Sequence, residues 1–189
     1  MEFSVHDPDS GLRERERVLS SVRRGLRTLT NASGFAGLIP NVGANVAECL
    51  DGAKTIDDVA AVPGRLVDVK GQAMVPGEPE FGVSEHVATV LLAAREAGAT
   101  ARGAVNVRYA PETVEALGAS HPTVEFDPER PTARRSPTRS RARARGRRES
   151  GDGEETLVLY QTGAVGVEPI VYVLAPTAAD AARIVRGLV

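Results

Sequence analysis

The sequence of 189 residues predicts a single α/β domain, a three-layer α/β/α sandwich with an N-terminal amphipathic helix. Short apolar runs alternate along the chain with segments whose apolar residues recur at helical spacing. Two of the runs, 156–160 and 170–174, lack polar alternation, which is typical of strands covered on both faces. The length and the hydrophobic fraction of 42% are those of one globular domain with a sizeable core.

The first predicted element is an amphipathic helix over residues 11–29. Charged residues cover most of its surface, and four apolar residues form one stripe along it: Val18, Val22, Leu26 and Leu29. We assign residues 1–37 to this helix and a linker, and residues 38–189 to the domain proper. One helix in roughly forty residues leaves no room for a complete helix-turn-helix domain.

Further helices and strands are predicted between residues 41 and 126. The clearest is a helix at 84–97, because Ser84 is a favourable N-cap, Gly98 is a favourable stop, and the apolar residues between them form one stripe. In chain order the others are a strand or short helix at 42–50, a helical turn at 56–60, a strand at 65–69, a loop at 71–79, a strand at 104–109, a helix at 111–117 and a strand at 123–126.

Two strands and a helix complete the predicted domain. The strands at 156–160 and 170–174 bracket a loop at 161–169. The last helix, over 177–188, presents an apolar face made of Ala181, Ile184, Val185 and Leu188.

An arginine-rich insert at 128–155 is the most conspicuous feature of the composition. Residues 130–148 carry nine arginines and no acid, whereas the rest of the chain has 14 basic and 25 acidic residues. The overall net charge of −2 therefore conceals a net charge of −11 over the residues outside this tract. Such a tract can bind nucleic acid through phosphates, but it has no aromatic residue for base stacking. We therefore favour a disordered loop between two strands, with non-specific nucleic-acid contact as the alternative.

Composition also indicates where the protein works. Arginine outnumbers lysine 21 to 2, and an acidic, lysine-poor surface suits a halophilic source, with an arginine-favouring GC-rich genome as the alternative. No apolar run approaches the roughly 20 residues that span a bilayer, and no secretory pattern is present. The single cysteine, Cys49, excludes an internal disulfide. We expect a cytoplasmic protein without membrane contact.

The head of the helix at 84–97 is the first candidate binding site. Gly82 and Ser84 lead into it, and His86 lies in its first turn. Helix N-termini attract anions because their first N–H groups lack partners inside the helix. The alternative is an ordinary N-cap beside a solvated histidine.

Two other polar patterns are weaker when taken alone. Asn106 and Arg108 project from one face of a predicted strand, where Arg108 could clamp a phosphate or carboxylate, although a surface arginine is the simpler interpretation. The glycine-rich connection at 163–169 contains Glu168 but lacks the spacing of nucleotide-binding loops.

A histidine metal site is not indicated, because the three histidines are far apart in the sequence: His6, His86 and His121. Carboxylates could hold magnesium together with a substrate phosphate, and four are candidates: Glu80, Glu85, Asp127 and Glu168.

Taken together and in order, six segments resemble the archaeal thiamine-phosphate synthase domain family known as ThiN. The segments are 42–45, 58–65, 81–87, 104–109, 125–127 and 166–169. The resemblance covers residues 38–189 apart from the arginine tract, and the family fold is a three-layer α/β/α sandwich. In this family the domain occurs alone, behind a pyrimidine kinase, or behind a helix-turn-helix in thiamine-responsive repressors.

The resemblance implies a reaction and a set of site residues. The family joins hydroxymethylpyrimidine diphosphate to a thiazole phosphate and releases pyrophosphate, whose charge magnesium and cationic side chains stabilise. It implies Arg65 as the catalytic residue that binds the diphosphate and His86 as a catalytic hydrogen-bond or proton donor. The implied substrate-binding residues are Asn45, Ser84, Asn106, Arg108 and Glu168.

Two departures from the family pattern keep a second hypothesis open. Many members have Phe-Asp-Arg and Gly-Lys-Glu-Pro, whereas this chain has Pro128 and Val167 in place of the two cations. The first hypothesis is a stand-alone synthase, and the alternative is a non-catalytic domain that senses thiamine phosphate. A third is that residues 1–40 are the remnant of a kinase linker and the domain acts with a separate partner. The sequence leaves the oligomeric state open, a homodimer included.

Overall fold

The computed structural model describes residues 8–126 and 156–189, so the arginine-rich insert, His6 and Asp127 lie outside the described residues. Helices and strands follow one another in this order: α1 Pro8–Thr30, β1 Val46–Cys49, β2 Val59–Ala61, β3 Val67–Val69, β4 Gln72–Met74, β5 Glu80–Phe81, α2 Glu85–Glu96, β6 Gly103–Arg108, α3 Pro111–Gly118, β7 Thr123–Glu125, β8 Leu157–Gln161, β9 Ile170–Ala175 and α4 Ala178–Arg186. Short 3-10 helices at Phe35–Leu38 and Ile56–Asp58 connect some of them.

Seven strands form one mixed sheet in the order β5-β2-β1-β6-β9-β8-β7, and β3 and β4 form a separate hairpin. Only β7 and β8 run parallel among the described pairs; the other neighbours are antiparallel. In this register Arg108 and Gln161 both pair with Ile170, and Val46 pairs with Val105. The starts of β1 and β9 and the ends of β2, β6 and β8 therefore meet at one end of the sheet, here called the cavity end.

Helices cover both faces of the sheet, which confirms the predicted three-layer α/β/α architecture. α1, α3 and α4 lie on one face, and α2 lies on the other. Side chains alternate between the two faces along the central strands, as the period of two in a strand requires. In β6, for example, Ala104 belongs to the core under α2, whereas Val105 and Val107 belong to the core under α1 and α4.

The N-terminal helix packs through the predicted stripe, whose four residues are all buried: Val18, Val22, Leu26 and Leu29. α1 packs against α4 and β1 and belongs to the same core as the sheet. Burying a valine or leucine side chain contributes about 1.5 to 3 kcal/mol, so this stripe is a main reason why α1 is held on the sheet. In the ranges 8–126 and 156–189, no helix has the length and apolar character to cross a membrane.

The prediction of a loop over 71–79 is wrong at residues 72–74, which form strand β4. Residues 72–74 show no apolar alternation, and Gln72 and Met74 are exposed, so neither periodicity nor burial marks the strand. Pairing with β3 creates it, through the register Val67 with Met74 and Val69 with Gln72. Strands formed by pairing alone leave little signal in their own sequence.

Candidate active site at one end of the sheet

A small cavity of about 160 Å³ opens at the cavity end, on the α2 face of the sheet. Its walls come from the residue before β1, the loop after β2 and the first turn of α2. They are Asn45, Val62, Gly64, Arg65, Val83, Ser84, Glu85 and His86. A larger depression of about 520 Å³ lies elsewhere, but it is lined by exposed side chains of α1 alone and collects none of the predicted site residues.

Arg65 is held in an unusual backbone conformation beside this cavity. Its φ of 68° lies in the left-handed region, which costs a non-glycine residue about 1 kcal/mol or more and is often found at functional sites. Its Nη1 donates a 2.7 Å hydrogen bond to the carbonyl of Val42. Gly43, with φ 88°, leaves room for the side chain, because a Cβ there would lie 2.9 Å from the Cβ of Arg65.

Arg65 and His86 meet at the head of α2, although 21 positions separate them. Nη2 of Arg65 lies 3.3 Å from Nδ1 of His86. A guanidinium only donates, so Nδ1 can form a hydrogen bond with Arg65 only as the acceptor. In that tautomer Nε2 carries the proton, and the exposed imidazole can donate it to a ligand. Both side chains line the cavity at the head of α2.

Ser84 occupies the predicted N-cap position of α2, with an extended backbone. Its side chain forms no capping hydrogen bond. The terminal N–H groups of α2 thus lack the usual side-chain acceptor, and the serine hydroxyl lines the cavity instead. An anion in the cavity would meet these donors together with those of Arg65 and His86.

Asn45 and Asn106 are buried, and both hold backbone groups at the cavity end. Oδ1 of Asn45 accepts from the N–H groups of Val46 and Val62, each at 2.9 Å, and its Nδ2 donates to the carbonyl of Val62. Oδ1 of Asn106 accepts from the N–H of Asn45 at 2.7 Å, and its Nδ2 donates to Gly43. Asn45 reaches the cavity wall, whereas Asn106 is not among the lining residues.

Arg108 and Glu168 also bind backbone, in the segment that precedes β1. Nη2 of Arg108 donates to the carbonyl of Ile39 at 3.0 Å. The two carboxylate oxygens of Glu168 accept from the N–H groups of Asn41 and Val42, at 2.8 and 2.9 Å. Four predicted residues line the cavity: Asn45, Arg65, Ser84 and His86. The other three, Asn106, Arg108 and Glu168, are not among its lining residues. Contact of any of them with substrate stays a prediction.

Sequence reasoning placed Asn45 at the site and 42–45 among the family segments, but it missed the backbone role of residues 39–43. This segment contributes the Val42 carbonyl and the small Gly43 to Arg65, and it accepts hydrogen bonds from polar side chains that do not line the cavity. These are backbone contributions, so side-chain chemistry gave no signal for them. The one available clue was Gly43, since glycine often marks a close approach of two chain segments.

Cys49 is excluded as a nucleophile. It is fully buried among residues of the α2-side core, and this burial raises the pKa of the Cys49 thiol to about 11. The thiolate is the reactive form, so a thiol with this pKa is inert near neutral pH. Tyr172 lies in the same core; burial raises the pKa of its hydroxyl, and the charge of Arg65 opposes that rise.

Of the three magnesium candidates that lie within residues 8–126 and 156–189, only Glu85 lines the cavity. Both oxygens of Glu168 are occupied by backbone N–H groups, Glu80 lies on the edge strand β5, and Asp127 is outside the described residues. The part of the chain that the structure describes contains no cluster of three or more metal-ligating side chains. A single carboxylate is nevertheless a usual protein contribution to a magnesium ion carried by a phosphate group.

Comparisons with known proteins agree with the fold and with the family that the sequence resembles. The sequence profile of the family described as thiamine-phosphate synthase ThiN matches residues 21–187. The thiamine-phosphate synthase ThiN of Methanothermobacter thermautotrophicus is 34% identical over 91 residues, which are 48% of each chain. The bifunctional thiamine biosynthesis protein ThiDN of Methanocaldococcus jannaschii is 37% identical over 91 residues, 48% of this chain and 22% of that protein. The matched region thus spans half or less of these relatives.

Two solved structures resemble the whole domain. The C-terminal domain of protein MJ0236 has a TM-score of 0.72 and 26% identity, over 92% of this chain and 94% of that one. The C-terminal domain of a phosphomethylpyrimidine kinase has a TM-score of 0.73 and 24% identity, over 93% of this chain and 100% of that one, a likeness of fold alone.

Proposed function

The chain belongs to the ThiN thiamine-phosphate synthase family, and we propose that it couples hydroxymethylpyrimidine diphosphate with a thiazole phosphate to give thiamine phosphate and pyrophosphate. In this reaction the thiazole nitrogen forms a bond to the methylene carbon of the pyrimidine. The bond between that carbon and the diphosphate oxygen breaks, and pyrophosphate leaves with the bonding electrons. Negative charge accumulates on the departing group, so the enzyme must supply hydrogen-bond donors and positive charge there.

The observation that carries the proposal is the contact between Arg65 and His86 at the head of α2. A guanidinium suits a diphosphate, because its planar set of donors can bind two oxygens at once. The Nε2–H of His86 and the first N–H groups of α2 add neutral donors on the same side. These groups together would stabilise pyrophosphate as it leaves.

The size of the cavity indicates which part of the substrates it holds. Sites that enclose a drug-sized ligand measure roughly 300 to 1,000 Å³, and this cavity is about 160 Å³. A diphosphate group fits such a space better than two heteroaromatic rings do. We propose that the diphosphate enters the cavity and that the two rings lie at its open rim.

Magnesium is part of the proposal, with Glu85 as the cavity residue that would hold it together with the diphosphate. When bound, the ion would neutralise charge on the diphosphate oxygens. The protein's own contribution remains the set of donors on Arg65, His86 and α2. Glu168 is a poorer candidate for this role, because it does not line the cavity and its oxygens already accept the N–H groups of Asn41 and Val42.

The other expectations from the sequence stay predictions. They are a halophilic archaeal source, a cytoplasmic location, a homodimer and the weak case for nucleic-acid binding by the arginine tract. The tract lies outside the described residues, so its contacts carry no part of this proposal.

The alternative is a domain that binds thiamine phosphate without making it. The observation in its favour is Val167, which is 38% exposed in the loop where many family members carry a lysine. Exposed valine cannot replace the phosphate contact of a cation. The two functions differ in turnover, and a single assay separates them.

The deciding experiment mixes the purified protein with the pyrimidine diphosphate, the thiazole phosphate and magnesium at high salt, and follows thiamine phosphate over time. The proposal expects many product molecules per protein molecule, and a loss of turnover in Arg65→Ala and His86→Ala. Tight binding of thiamine phosphate without turnover would support the sensor instead.

A further inference from the structure

We infer that Glu168 is a positioning residue for Arg65 and acts through the backbone of residues 40–43. The resemblance to the family gave Glu168 a substrate-binding role, and the geometry points to a different one. The inference rests on the proposed function, because it concerns how the diphosphate-binding arginine is held ready.

The first step of the argument is that both carboxylate oxygens of Glu168 bind backbone N–H groups. Its Oε1 accepts the N–H of Asn41 at 2.8 Å, and its Oε2 accepts the N–H of Val42 at 2.9 Å. Two charge-assisted hydrogen bonds to consecutive N–H groups hold one peptide segment in a fixed orientation. Each oxygen keeps a lone pair, but the negative charge of the carboxylate would repel a diphosphate, which disfavours direct contact with that substrate.

The second step is that the clamped segment ends on Arg65. The N–H of Gly43 donates to the carbonyl of Pro40 at 2.9 Å, which closes a turn around Asn41 and Val42. The Val42 carbonyl then accepts Nη1 of Arg65 at 2.7 Å. The peptide group that carries this carbonyl is held by the bond from Gly43 to Pro40, and Glu168 holds the two preceding peptide groups of the same turn. Glu168 therefore fixes the turn that presents the Val42 carbonyl to Arg65.

The third step is that a residue of the sheet fixes the backbone of Glu168. Its carbonyl accepts Nε2 of Gln161 at 2.8 Å, and Oε1 of Gln161 accepts the N–H of Gly163 at 2.9 Å. Gln161 is only 5% exposed and ends β8. A continuous set of hydrogen bonds thus runs from β8 through Glu168 and the turn to Arg65, and on to His86.

The consequence concerns orientation more than affinity. A free arginine side chain populates many rotamers, and fixing one before the substrate arrives lowers the cost of reaching the transition state. Nη1 is directed to Val42, so Nη2 is left on the side of His86 and the helix terminus. Loss of the Glu168 clamp would let the guanidinium turn away from the departing pyrophosphate.

The experiment compares Glu168→Ala and Glu168→Gln with a matched control, Asp58→Ala. Asp58 also binds two backbone N–H groups, those of Lys54 and Thr55 at 2.9 and 3.0 Å, but it does not line the cavity. We expect Glu168→Ala to lower kcat about ten- to a hundredfold, with a smaller change in KM for the diphosphate substrate. Glu168→Gln keeps one acceptor oxygen, so its kcat should lie between those of wild type and Glu168→Ala. The kcat of Asp58→Ala should stay within about twofold of wild type.

A double variant tests whether Glu168 acts through Arg65. In an Arg65→Lys background, adding Glu168→Ala should cause no further loss of kcat, because the guanidinium that the clamp serves is already gone. A further loss of tenfold would overturn the inference and return Glu168 to direct substrate contact. Calorimetry with inorganic pyrophosphate adds a readout without turnover: tighter binding by Glu168→Ala would mean that the carboxylate competes with phosphate for the turn.

Each result bears on one hypothesis only. Wild-type protein without turnover refutes the proposed function, whereas wild-type turnover that Glu168→Ala leaves unchanged refutes the positioning role. If Glu168→Ala does not fold, Glu168→Gln decides, and a wild-type kcat in Glu168→Gln overturns the inference.

Discussion

The two ends of the sheet carry similar residues but use them differently. At the end opposite the cavity, here called the far end, Arg102 donates to the carbonyl of Cys49 and to the carboxylate of Glu14. Arg95 donates to three backbone carbonyls there, and Glu48 accepts the N–H that begins α4. At the cavity end Arg65 has one carbonyl partner and a 3.3 Å contact with the exposed ring of His86.

The difference teaches which polar groups are structural and which are available for a ligand. Buried or half-buried charges that are saturated with partners mainly stabilise the fold. Donors that converge on a cavity without a protein acceptor mark a place where a ligand completes the set. The chain keeps such open donors at the cavity end, together with a left-handed arginine that costs stability.

The largest expected effect is on anion binding at the cavity end. Arg65→Ala removes a charged donor pair, so the Kd for inorganic pyrophosphate should rise about ten- to a hundredfold, as expected for a charge-assisted hydrogen bond of about 1.5 to 3 kcal/mol. Isothermal titration calorimetry measures it. A Kd within twofold of wild type would mean that the diphosphate binds elsewhere.

The matching change at the far end should affect stability and leave activity alone. Arg102→Ala removes the charged partner of Glu14, whose side chain is 27% exposed, and one bond to the carbonyl of Cys49, so the free energy of unfolding should fall by about 1 to 2 kcal/mol. Urea unfolding measures this loss. Loss of turnover with unchanged stability would reverse the assignment of the two ends.

A smaller effect should appear when Arg65 is replaced by two different small residues. Because φ at this position is 68°, Arg65→Gly should be more stable than Arg65→Ala by about 1 kcal/mol. Both variants lack the guanidinium and should be equally inactive. Equal thermal midpoints of the two variants would show that the left-handed conformation is not retained in solution.

The smallest effect is a pH dependence at the far end. Glu48 is 4% exposed, and desolvation raises its pKa above the ordinary 4.5 against the opposing bonds from Ser21 and Ala178. The folded state therefore favours the protonated acid, and stability from this group is lost as the pH rises from 4.5 through the raised pKa. Glu48→Gln stays neutral, so its unfolding free energy relative to wild type should increase across that window and then level off. A difference that shrinks with rising pH would contradict the assignment.

The sequence predicts the two ends of the sheet unequally well. The helical stripe of α1 and the N-cap before α2 were visible, because they depend on periodicity and local capping. Arg65 and His86 were found through family resemblance, and their contact confirms only that they lie together. The roles of Glu168 and Glu48 depend on backbone groups 126 and 130 positions away in the chain, which no local pattern records.

The most direct test of the comparison measures thiamine phosphate formation by Arg65→Ala and Arg102→Ala side by side with wild type. Because Arg65 supplies donors to the cavity, we expect at least a hundredfold loss of kcat in Arg65→Ala, the size seen when a stabilising donor is removed from a reacting group. Because Arg102 binds only protein groups at the far end, we expect Arg102→Ala to keep a kcat within about twofold of wild type, measured below its unfolding temperature. Equal losses in both variants would contradict the division of the molecule into a functional and a structural end.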